Sequence, residues 1–388
     1  MRDPMIRNQE DDSFVSYAEE LAAKVRGCAE ADEHHFAGEA VALLLDASYN
    51  LLTIPKELGG RGANLYQMLL CQERIAEAHA SAALVMGWHV GIALGLRLAN
   101  AWSPARYAQF AKDAVHARAM INACGTEPET GSPSRGGRPT TTAVKVAGGF
   151  KITGRKTWAT GSPVLTHILV SAYMPDRARV GEFLVRKDSP GVAIEETWDS
   201  MSMAGTGSHT LRLTDVFVPD EDLTDEAEPG KKMKRSADGS GWLLHIPATY
   251  LGVGNEARAY ALEFARTYQP NSLSHPIGQL PHVREKLGQI EIERMSARTL
   301  LYQVAERYDR AEPADRLAMR GDLAAAKYVA THAALRMVDL SMRVVGGNSI
   351  LHSTPLARCY RDVRAGLHNP PMDDSTLSML AGLALESS

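Results

Sequence analysis

Residues 344–374 read VVGGNSILHSTPLARCYRDVRAGLHNPPMDD and lie between two segments with helical periodicity. The stretch holds a Gly-Gly-Asn turn at 346–348, a segment that starts at Pro355, an Arg-Asp-x-Arg run at 361–364 and a His-Asn-Pro-Pro corner at 368–371. Glycine and proline at this density force turns and end helices. Charged groups confined in such a corner indicate a site, so we expect the last helices and the function to be organised around it.

The composition limits the class of protein. The 388 residues carry a net charge of −4, with 45% apolar and 23% charged side chains, which is ordinary for a globular chain of two or three domains. A nucleic-acid partner normally requires a basic excess, which is absent. The cysteines have no metal-binding spacing and are expected to be reduced thiols; they are Cys28, Cys71, Cys124 and Cys359. The polar N-terminus is unlike a signal peptide, and no apolar run approaches the ~20 residues of a membrane span, so we expect a cytoplasmic protein without a metal site.

Hydrophobic periodicity divides the chain into three parts. From Phe14 to about Arg118, apolar residues recur at three- and four-residue spacing, which predicts helices around a glycine-rich loop at 51–65. Short β-branched segments at 120–220 predict an antiparallel barrel or sandwich, and the pattern beyond a charged segment at 225–241 predicts a helix bundle. The predicted fold class is α+β. It has an N-terminal helical domain at 1–118, a middle antiparallel β-barrel domain at 119–230 and a C-terminal helical bundle domain at 231–388.

His89 lies inside the most apolar helical segment, in the run MGWHVGIAL. Two interpretations are open. A histidine on an apolar helix is most often a core residue that is hydrogen-bonded to a neighbour. The sharper alternative is a polar group that faces a buried cavity.

Five short motifs, in this order and on this background of helices and strands, resemble the acyl-CoA dehydrogenase superfamily of flavoproteins. Each motif is weak alone. They are TEPxxGS at 126–132, KxWxT at 156–160, FVP at 217–219, VGGN at 345–348 and PLxRxYRDxR at 355–364. The resemblance extends from about Phe14 onward, and it implies an acyl-CoA dehydrogenase-like fold and a flavin-dependent oxidoreductase.

The resemblance assigns contacts to the flavin ring. Thr126 would bond the pyrimidine edge of the ring, Trp158 would pack on the ring, and Thr160 would approach N5, the atom that receives a hydride. Ser132 would lie along the path of substrate and pyrophosphate. An isoalloxazine ring needs apolar walls and a few fixed donors, which turns at strand ends supply. The alternative is that Thr126 and Thr160 are ordinary turn residues.

The rest of the cofactor site is mixed. A glycine-rich turn could wrap a pyrophosphate because glycine lets backbone amides approach phosphate closely; its residues are Gly346, Gly347 and Asn348. Tight FAD binders of the family hold the adenine half with an Arg-x-x-Phe-Gly segment and a glutamine. Here those positions are Tyr268, Asn271-Ser272 and Pro281. FAD is the expected cofactor on family grounds, and FMN or an exchangeable reduced flavin stays open.

Both usual positions of the catalytic base are non-acidic. Family dehydrogenases remove the α-proton of an acyl thioester with a carboxylate while hydride leaves the β-carbon for N5. The usual glutamate, nine residues after the arginine of the Arg-Asp pair, corresponds to Pro370. The minority position, ten residues before the first glycine of the domain's first helix, is Trp242, and the arginine that usually follows it is Leu243.

Asp373 offers one replacement for the missing base. If the helix that begins STLSML is aligned with the last helix of the family, Asp373 falls beside the missing glutamate. Asp374 would then be the N-cap of that helix. The alternative is that both carboxylates merely cap the helix or face water.

A monooxygenase branch of the superfamily, with dibenzothiophene monooxygenase as an example, needs no strong base. Its members use reduced flavin and O₂ through a C4a-(hydro)peroxyflavin, which hydrogen-bonding groups support. They carry Leu-His-Asp-Pro in this corner and a histidine on an N-terminal helix. His368, in the run LHNP, and His89 correspond to these histidines, and GTGSHT at 205–210 also resembles that branch.

We therefore predict an enzyme that dehydrogenates an acyl-CoA or related acyl thioester with hydride transfer to flavin N5. The candidate catalytic residues are Asp373, His368 and His89. A reduced-flavin-dependent monooxygenase is the alternative, and a catalytically silent flavin-binding or scaffold protein is a third possibility. Broad apolar helix faces, and the family's binding of flavin at a subunit contact, predict a homotetramer or homodimer.

Overall fold

The computed structural model describes residues 3–28, 35–131, 137–236 and 238–386. Its N-terminal part is helical, as the periodicity predicts. The helices are α1 Gln9–Val25, α2 Gly38–Asp46, α3 Leu65–Ala78, α4 Ala80–Leu98 and α5 Pro104–Ala117.

The break between α3 and α4 has no glycine or proline. His79 has an extended backbone, with φ −157° and ψ 90°, and its Nδ1 accepts from the Ala82 N–H at 3.3 Å. A side chain that satisfies a first-turn amide stabilises a new helix start. The chain therefore turns here without a breaker residue, and the apolar periodicity runs across the break.

The middle part is one mixed sheet of eight strands. They are β1 Ile121–Cys124, β2 Thr142–Val146, β3 Gly149–Ala159, β4 His167–Met174, β5 Arg179–Arg186, β6 Val192–Glu195, β7 His209–Pro219 and β8 Leu223–Ala227. Seven strands follow the order β6-β7-β3-β2-β4-β5-β8, and β1 pairs with β4.

The α+β class is confirmed, but the closed antiparallel barrel is not. β1 and β2 both pair with β4 in parallel, because each runs in the same direction as β4. Within the described residues the outer strands β6 and β8 do not pair with each other, so the sheet is open.

The C-terminal part is helical again, and it shares a core with the first part. Its helices are α6 His245–Thr267, α7 Pro281–Arg310, α8 Pro313–Arg316, α9 Arg320–Val345, α10 Pro355–Asp362 and α11 Asp373–Glu386. Arg298 of α7 and Glu73 of α3 form a buried ion pair at 2.8 Å. One apolar cluster extends through α1, α3, the sheet and α7, so the three parts pack as one body.

Helix α4 packs directly on the start of α6. Gly87 and Gly95 leave room for side chains there: an added Cβ would lie 2.6 Å from His245 Nδ1 at Gly87 and 2.6 Å from Trp242 Cδ1 at Gly95. Contrary to the sequence expectation, α4 is long and apolar enough to cross a membrane by length and composition. Because 83% of that apolar window is buried within the fold, we assign the run to the core.

Candidate active site

Two loops, at the ends of β1 and β3, meet and carry three predicted flavin contacts. The Thr157 N–H donates to the Thr126 carbonyl at 2.9 Å. Trp158 has a left-handed backbone, φ 60°, at an irregularity in the pairing of β3 with β7. A bulge of this kind re-aims a side chain, and the indole is 61% exposed. Trp198 packs edge-on against it at 5.0 Å between ring centroids. The result is an open aromatic wall beside Thr126 and Thr160.

A buried ion pair joins the two loops. Lys156 Nζ lies 2.6 Å from Glu127 Oε1, and both side chains are fully buried. The carboxylate also accepts from the amides of Thr140 at 2.6 Å and Thr141 at 3.1 Å. Burial by itself raises the pKa of Glu127, but Lys156 and these donors outweigh it and lower that pKa to about 2. Each partner is a sequence neighbour of a predicted ring contact, so the pair sets how the two loops lie relative to each other.

Three hydroxyl groups form a row next to the aromatic wall. Thr160 Oγ1 lies 2.9 Å from Ser208 Oγ, and Ser208 Oγ lies 2.8 Å from Thr206 Oγ1. The Thr206 hydroxyl donates to the Met203 carbonyl at 2.8 Å. Asn122 Nδ2 donates to the Thr160 carbonyl at 2.9 Å and fixes the backbone there. Thr206 and Ser208 are buried and Thr160 is half-buried, so Thr160 is the member of the row that meets the open side.

Asp362 ties the loop before this row to α10. Its Oδ1 accepts from the Met203 N–H at 2.6 Å, and its carbonyl accepts from the Ser202 hydroxyl at 3.0 Å. Burial raises the pKa of Asp362 to about 6, although Arg358 opposes the shift. The aspartate of the PLxRxYRDxR motif therefore holds the segment from which the hydroxyl row extends.

The raised pKa of Asp362 predicts a pH-dependent stability that Asp362→Asn removes. The native state keeps this proton up to about pH 6, whereas the unfolded chain releases it near 3.8. The contribution of Asp362 to stability therefore falls as pH rises through about 6. When the pH is raised from 5 to 8, we expect the free energy of unfolding of wild type to fall by about 1 kcal/mol relative to that of Asp362→Asn. Urea unfolding of both proteins measures this, and an unchanged difference between the two pH values would contradict it.

The corner after α10 places Asp373 against α9. Asp373 Oδ2 lies 2.8 Å from His332 Nε2, and Oδ1 lies 3.4 Å from Lys327 Nζ. The Lys327 side chain is 1% exposed, whereas that of Asp373 is 25% exposed. Burial lowers the pKa of Lys327, and the Asp373 carboxylate opposes that shift. Asp373 is thus held by two partners and still has part of its surface open.

The predicted N-cap role of Asp374 is wrong. Helix α11 begins at Asp373, two residues before the predicted start at Ser375, so both aspartates lie in its first turn. The Asp374 carboxylate accepts from the adjacent Ser375 N–H at 2.8 Å, which is not a capping bond. Negative charge in the first turn is still favourable because of the helix dipole.

One of the two usual base positions, Trp242, lies among packed side chains, and the other, Pro370, is half-buried. Trp242 is 3% exposed, and its ring stacks on His245 with centroids 6.3 Å apart and an interplanar angle of 10°. Beside Pro370, Asn369 accepts a hydrogen bond from the buried Tyr250 hydroxyl, which fastens the corner to α6. His368, one residue before Asn369, is exposed. Neither position offers an acid, and the corner itself is anchored at both ends.

The contacts of His89 are those of the core interpretation, and its catalytic role stays a prediction. The Ile121 N–H donates to Nδ1 at 3.0 Å, which leaves the proton on Nε2, and Nε2 lies 2.9 Å from the Asn50 carbonyl. Burial lowers the pKa of His89 to about 4, so the ring is neutral at physiological pH. Both ring nitrogens are bonded to backbone groups. His89 is therefore a core residue that links α4 to β1 and to the segment after α2.

The predicted pyrophosphate turn follows α9 at the surface. Gly346 has φ 73° and ends the helix in a conformation that favours glycine. An added Cβ at Gly346 or Gly347 would meet no atom within 4 Å, and Asn348 is exposed as well. The turn is open on its outer side, and its contact with a pyrophosphate stays a prediction. Ser132 lies outside the described residues.

The structure brings Thr126, Trp158 and Thr160 together, whereas Asp373 lies against α9 and His89 in the core. Sequence analysis missed the groups that hold the first three. Two of them were visible as opposite charges inside the flagged motifs, Glu127 and Lys156. The hydroxyl-rich run at 205–210 was noticed only as a resemblance, and its bonds to Thr160 could not be read from spacing.

A flavin ring fits the residues at these loops. It requires an apolar wall and a few directed polar groups, and such sites are usually preformed. The exposed Trp158 indole supplies the wall, and the Thr160 hydroxyl, held by its row, supplies a directed group. Thr126 lies at the adjoining strand end, where its backbone is fixed by Thr157. These three residues would hold the ring.

Comparison with known proteins identifies the family of the chain. The chain matches three family models, described as acyl-CoA dehydrogenase N-terminal domain, middle domain and C-terminal domain, over residues 8–127, 122–216 and 244–367. It is 44% identical over 384 residues to YdbM of Bacillus subtilis (strain 168), which covers 98% of this chain and 99% of that protein. The name of YdbM assigns it to the acyl-CoA dehydrogenases only provisionally.

Two solved structures show the same fold. Butyryl-CoA dehydrogenase from Megasphaera elsdenii has a TM-score of 0.86 at 21% identity, covering 97% of this chain and 98% of its own. Dibenzothiophene monooxygenase TdsC from Paenibacillus sp. A11-2 has a TM-score of 0.83 at 21% identity, again covering 97% and 98%. The family models extend over the ring-contact loops and end at residue 367, just before the corner after α10, whereas the match to YdbM covers 98% of this chain. The chain belongs to the acyl-CoA dehydrogenase family of flavin-dependent oxidoreductases.

Proposed function

We propose that the protein dehydrogenates an acyl-CoA or a related acyl thioester between its α- and β-carbons, with Asp373 as the base. The observation that carries this proposal is the environment of Asp373. It is a carboxylate in the corner where the usual glutamate is missing, paired with Lys327 and His332 and 25% exposed. A carboxylate held in one direction with an open side suits proton removal from a carbon acid.

Each residue would have a distinct part in that reaction. Bound flavin supplies the acceptor for the hydride that leaves the β-carbon. Asp373 takes the α-proton while Lys327 and His332 fix the orientation of its carboxylate. Trp158 would pack on one side of the bound ring, and Thr160 would offer its hydroxyl to the hydride-accepting edge.

Anaerobic mixing with a panel of acyl-CoAs tests the proposal. The panel contains short, medium, long, branched and aryl-substituted acyl groups, and the absorbance of the bound oxidised flavin is followed. We expect at least one acyl-CoA to bleach the flavin and to yield the corresponding 2-enoyl-CoA. Failure of the whole panel with protein whose flavin is still bleached by dithionite would sink the proposal.

A second function, oxygenation with reduced flavin and O₂, is favoured by a specific observation. The minority base position is filled by the packed indole of Trp242, and the histidine of the corner, His368, is exposed. Hydrogen-bonding groups without a strong base suit that chemistry. TdsC, a dibenzothiophene monooxygenase, shares the fold.

Oxygen-dependent conversion of a probe separates the two functions. Protein, chemically reduced FMN, air and dibenzothiophene are mixed, and the products are analysed by mass. Dehydrogenation predicts no oxygenated product under these conditions. A sulfoxide that depends on protein and is lost in His368→Ala, with no bleaching by any acyl-CoA, would replace the first proposal with the second. A protein that binds no flavin would support the silent scaffold.

The cofactor and the assembly belong to the same proposal. FAD is proposed as the bound flavin, with FMN as the alternative, and the amount of each released on denaturation distinguishes them.

A homotetramer or homodimer is proposed because large apolar side chains lie exposed on one helix of the bundle: on α7, Ile292 is 65% exposed and Met295 is 62% exposed. Light scattering of the purified protein measures the assembly.

A further inference from the structure

The hydroxyl row at the ring-contact loops donates its hydrogen bonds in one direction, and the carbonyl at its buried end sets that direction. The row runs from Thr160 through Ser208 and Thr206 to the Met203 carbonyl, with oxygen–oxygen distances of 2.9, 2.8 and 2.8 Å. A carbonyl oxygen can only accept, and each hydroxyl has one hydrogen. The Thr206 hydrogen is therefore used on Met203, so Ser208 must donate to Thr206. Thr160 must in turn donate to Ser208.

This direction determines what Thr160 offers to a ligand. Its hydroxyl hydrogen points into the protein, towards Ser208, and its free lone pairs are left for the open side. Ser208 and Thr206 are 5% and 1% exposed, so water does not compete for their hydrogens. The row therefore presents a hydrogen-bond acceptor, although a threonine hydroxyl alone could act either way.

We propose that Ser208 and Thr206 are positioning residues that hold Thr160 as an acceptor and thereby favour reduced over oxidised flavin. The inference rests on the proposed position of the flavin edge at Thr160. In the oxidised ring N5 carries only a lone pair, whereas after it has received a hydride it carries a hydrogen. An acceptor at Thr160 bonds the second form and not the first. The reduced form of the cofactor is thus the one that can donate to Thr160 while the row keeps all of its own hydrogen bonds.

The oxidised form can be matched only by reversing the row. Thr160 would then donate outward, Ser208 to Thr160 and Thr206 to Ser208, and the Met203 carbonyl would lose the Thr206 hydroxyl. That carbonyl would keep the Thr206 N–H at 3.1 Å and the Trp198 Nε1–H at 3.3 Å. Reversal therefore costs one hydrogen bond. This lost bond is the entire energetic preference of the row for reduced over oxidised flavin. A net hydrogen bond of ordinary strength changes an equilibrium by about three- to tenfold.

Ser208→Ala tests the inference through the midpoint potential of the bound flavin. Without the Ser208 hydroxyl, Thr160 can donate to oxidised flavin or accept from reduced flavin equally well. We expect the reduced-to-oxidised ratio at a fixed potential to fall by about three- to tenfold, and tenfold corresponds to about 30 mV for a two-electron couple. Thr206→Val should act in the same direction because it removes the carbonyl anchor. Ser208→Thr keeps the hydroxyl and should restore the wild-type potential.

A matched control separates this effect from a general loosening of the loop. Ser162 is also buried, and its hydroxyl donates to the Gly207 carbonyl at 2.7 Å, outside the row. Ser162→Ala should leave the potential unchanged. Thermal unfolding and the flavin dissociation constant are measured for every variant. If Ser208→Ala does not fold, the midpoint potential of Thr206→Val tests the inference in its place.

The outcomes distinguish this inference from the proposed function. Equal potentials for wild type, Ser208→Ala and Thr206→Val, in proteins that bind flavin, would overturn the inference alone. A more positive potential in either variant would also overturn it, since the sign would be reversed. A wild type that binds no flavin would overturn both. A fall in both variants with restoration by Ser208→Thr is the expected result.

Discussion

Asp373→Asn is expected to slow the bleaching of bound flavin by an acyl-CoA by about 10²- to 10⁴-fold, the usual effect of losing a general base. The amide cannot take the α-proton, but it can keep a hydrogen bond to Lys327 through its oxygen. Flavin should stay bound because Asp373 contacts α9 and not the ring-contact loops. Stopped-flow absorbance with the best acyl-CoA of the panel measures the rate, and flavin content is determined on the same sample.

Asp374→Asn is the matched control for this experiment. It removes the same charge one residue along the first turn of α11, but Asp374 is exposed and its carboxylate accepts from the N–H of its neighbour Ser375. We expect a change of less than threefold in the bleaching rate, because exposed charges are strongly screened. Equal rates for Asp373→Asn and wild type would remove Asp373 as the base. Equal losses in both variants would instead indicate a general effect of charge at the helix start.

Lys156→Met is expected to destabilise the protein by about 3–5 kcal/mol, because it leaves the buried Glu127 without its cation. The methionine fills most of the lysine volume, so the loss reports the charge and not a cavity. The loops that carry Thr126 and Trp158 would also lose their link, and flavin affinity should fall with stability. Urea unfolding and a flavin titration measure the two effects on the same preparation.

Two comparisons isolate the buried charge. In Glu127→Gln/Lys156→Met no buried charge is left uncompensated, so this double variant should recover part of the lost stability. Lys145→Met breaks an ion pair with Asp220 whose side chains are 36% and 55% exposed, and it should change stability by no more than about 1 kcal/mol. If the Lys156→Met protein were as stable as Lys145→Met, the prediction would be wrong. The amide and hydroxyl groups that donate to the Glu127 carboxylate would then be enough to hold it without the lysine.

The corner after α10 shows how far sequence reasoning reached. Counting along the chain shows that the two usual glutamate positions are Pro370 and Trp242 and that neither is acidic. The structure places a packed indole at Trp242. The counting did not find the partners of Asp373, because Lys327 and His332 are 46 and 41 residues away and come close only when α9 packs beside the corner. It also placed the start of α11 two residues too late, which changed the role of Asp374.

His89 shows the opposite case. Its position in an apolar helix left two interpretations open, and periodicity could not choose between them. The two backbone partners, Asn50 and Ile121, come from segments 39 and 32 residues away. Because a histidine's role depends on what its two nitrogens bond, burial alone would not have settled the question either.

Local sequence was sufficient to predict the helix–strand–helix order, to locate the family motifs and to show that both usual glutamate positions are non-acidic. Hydrophobic period and turn chemistry are properties of neighbouring residues, so they survive without knowledge of the fold. Only packing could establish that the sheet is open, that Glu127 pairs with Lys156, that Asp362 holds Met203 and that the Thr160 hydroxyl meets Ser208. Those facts depend on which polar groups meet after the apolar faces are buried, and residues 159 apart, such as Met203 and Asp362, carry no sign in their spacing that they will meet.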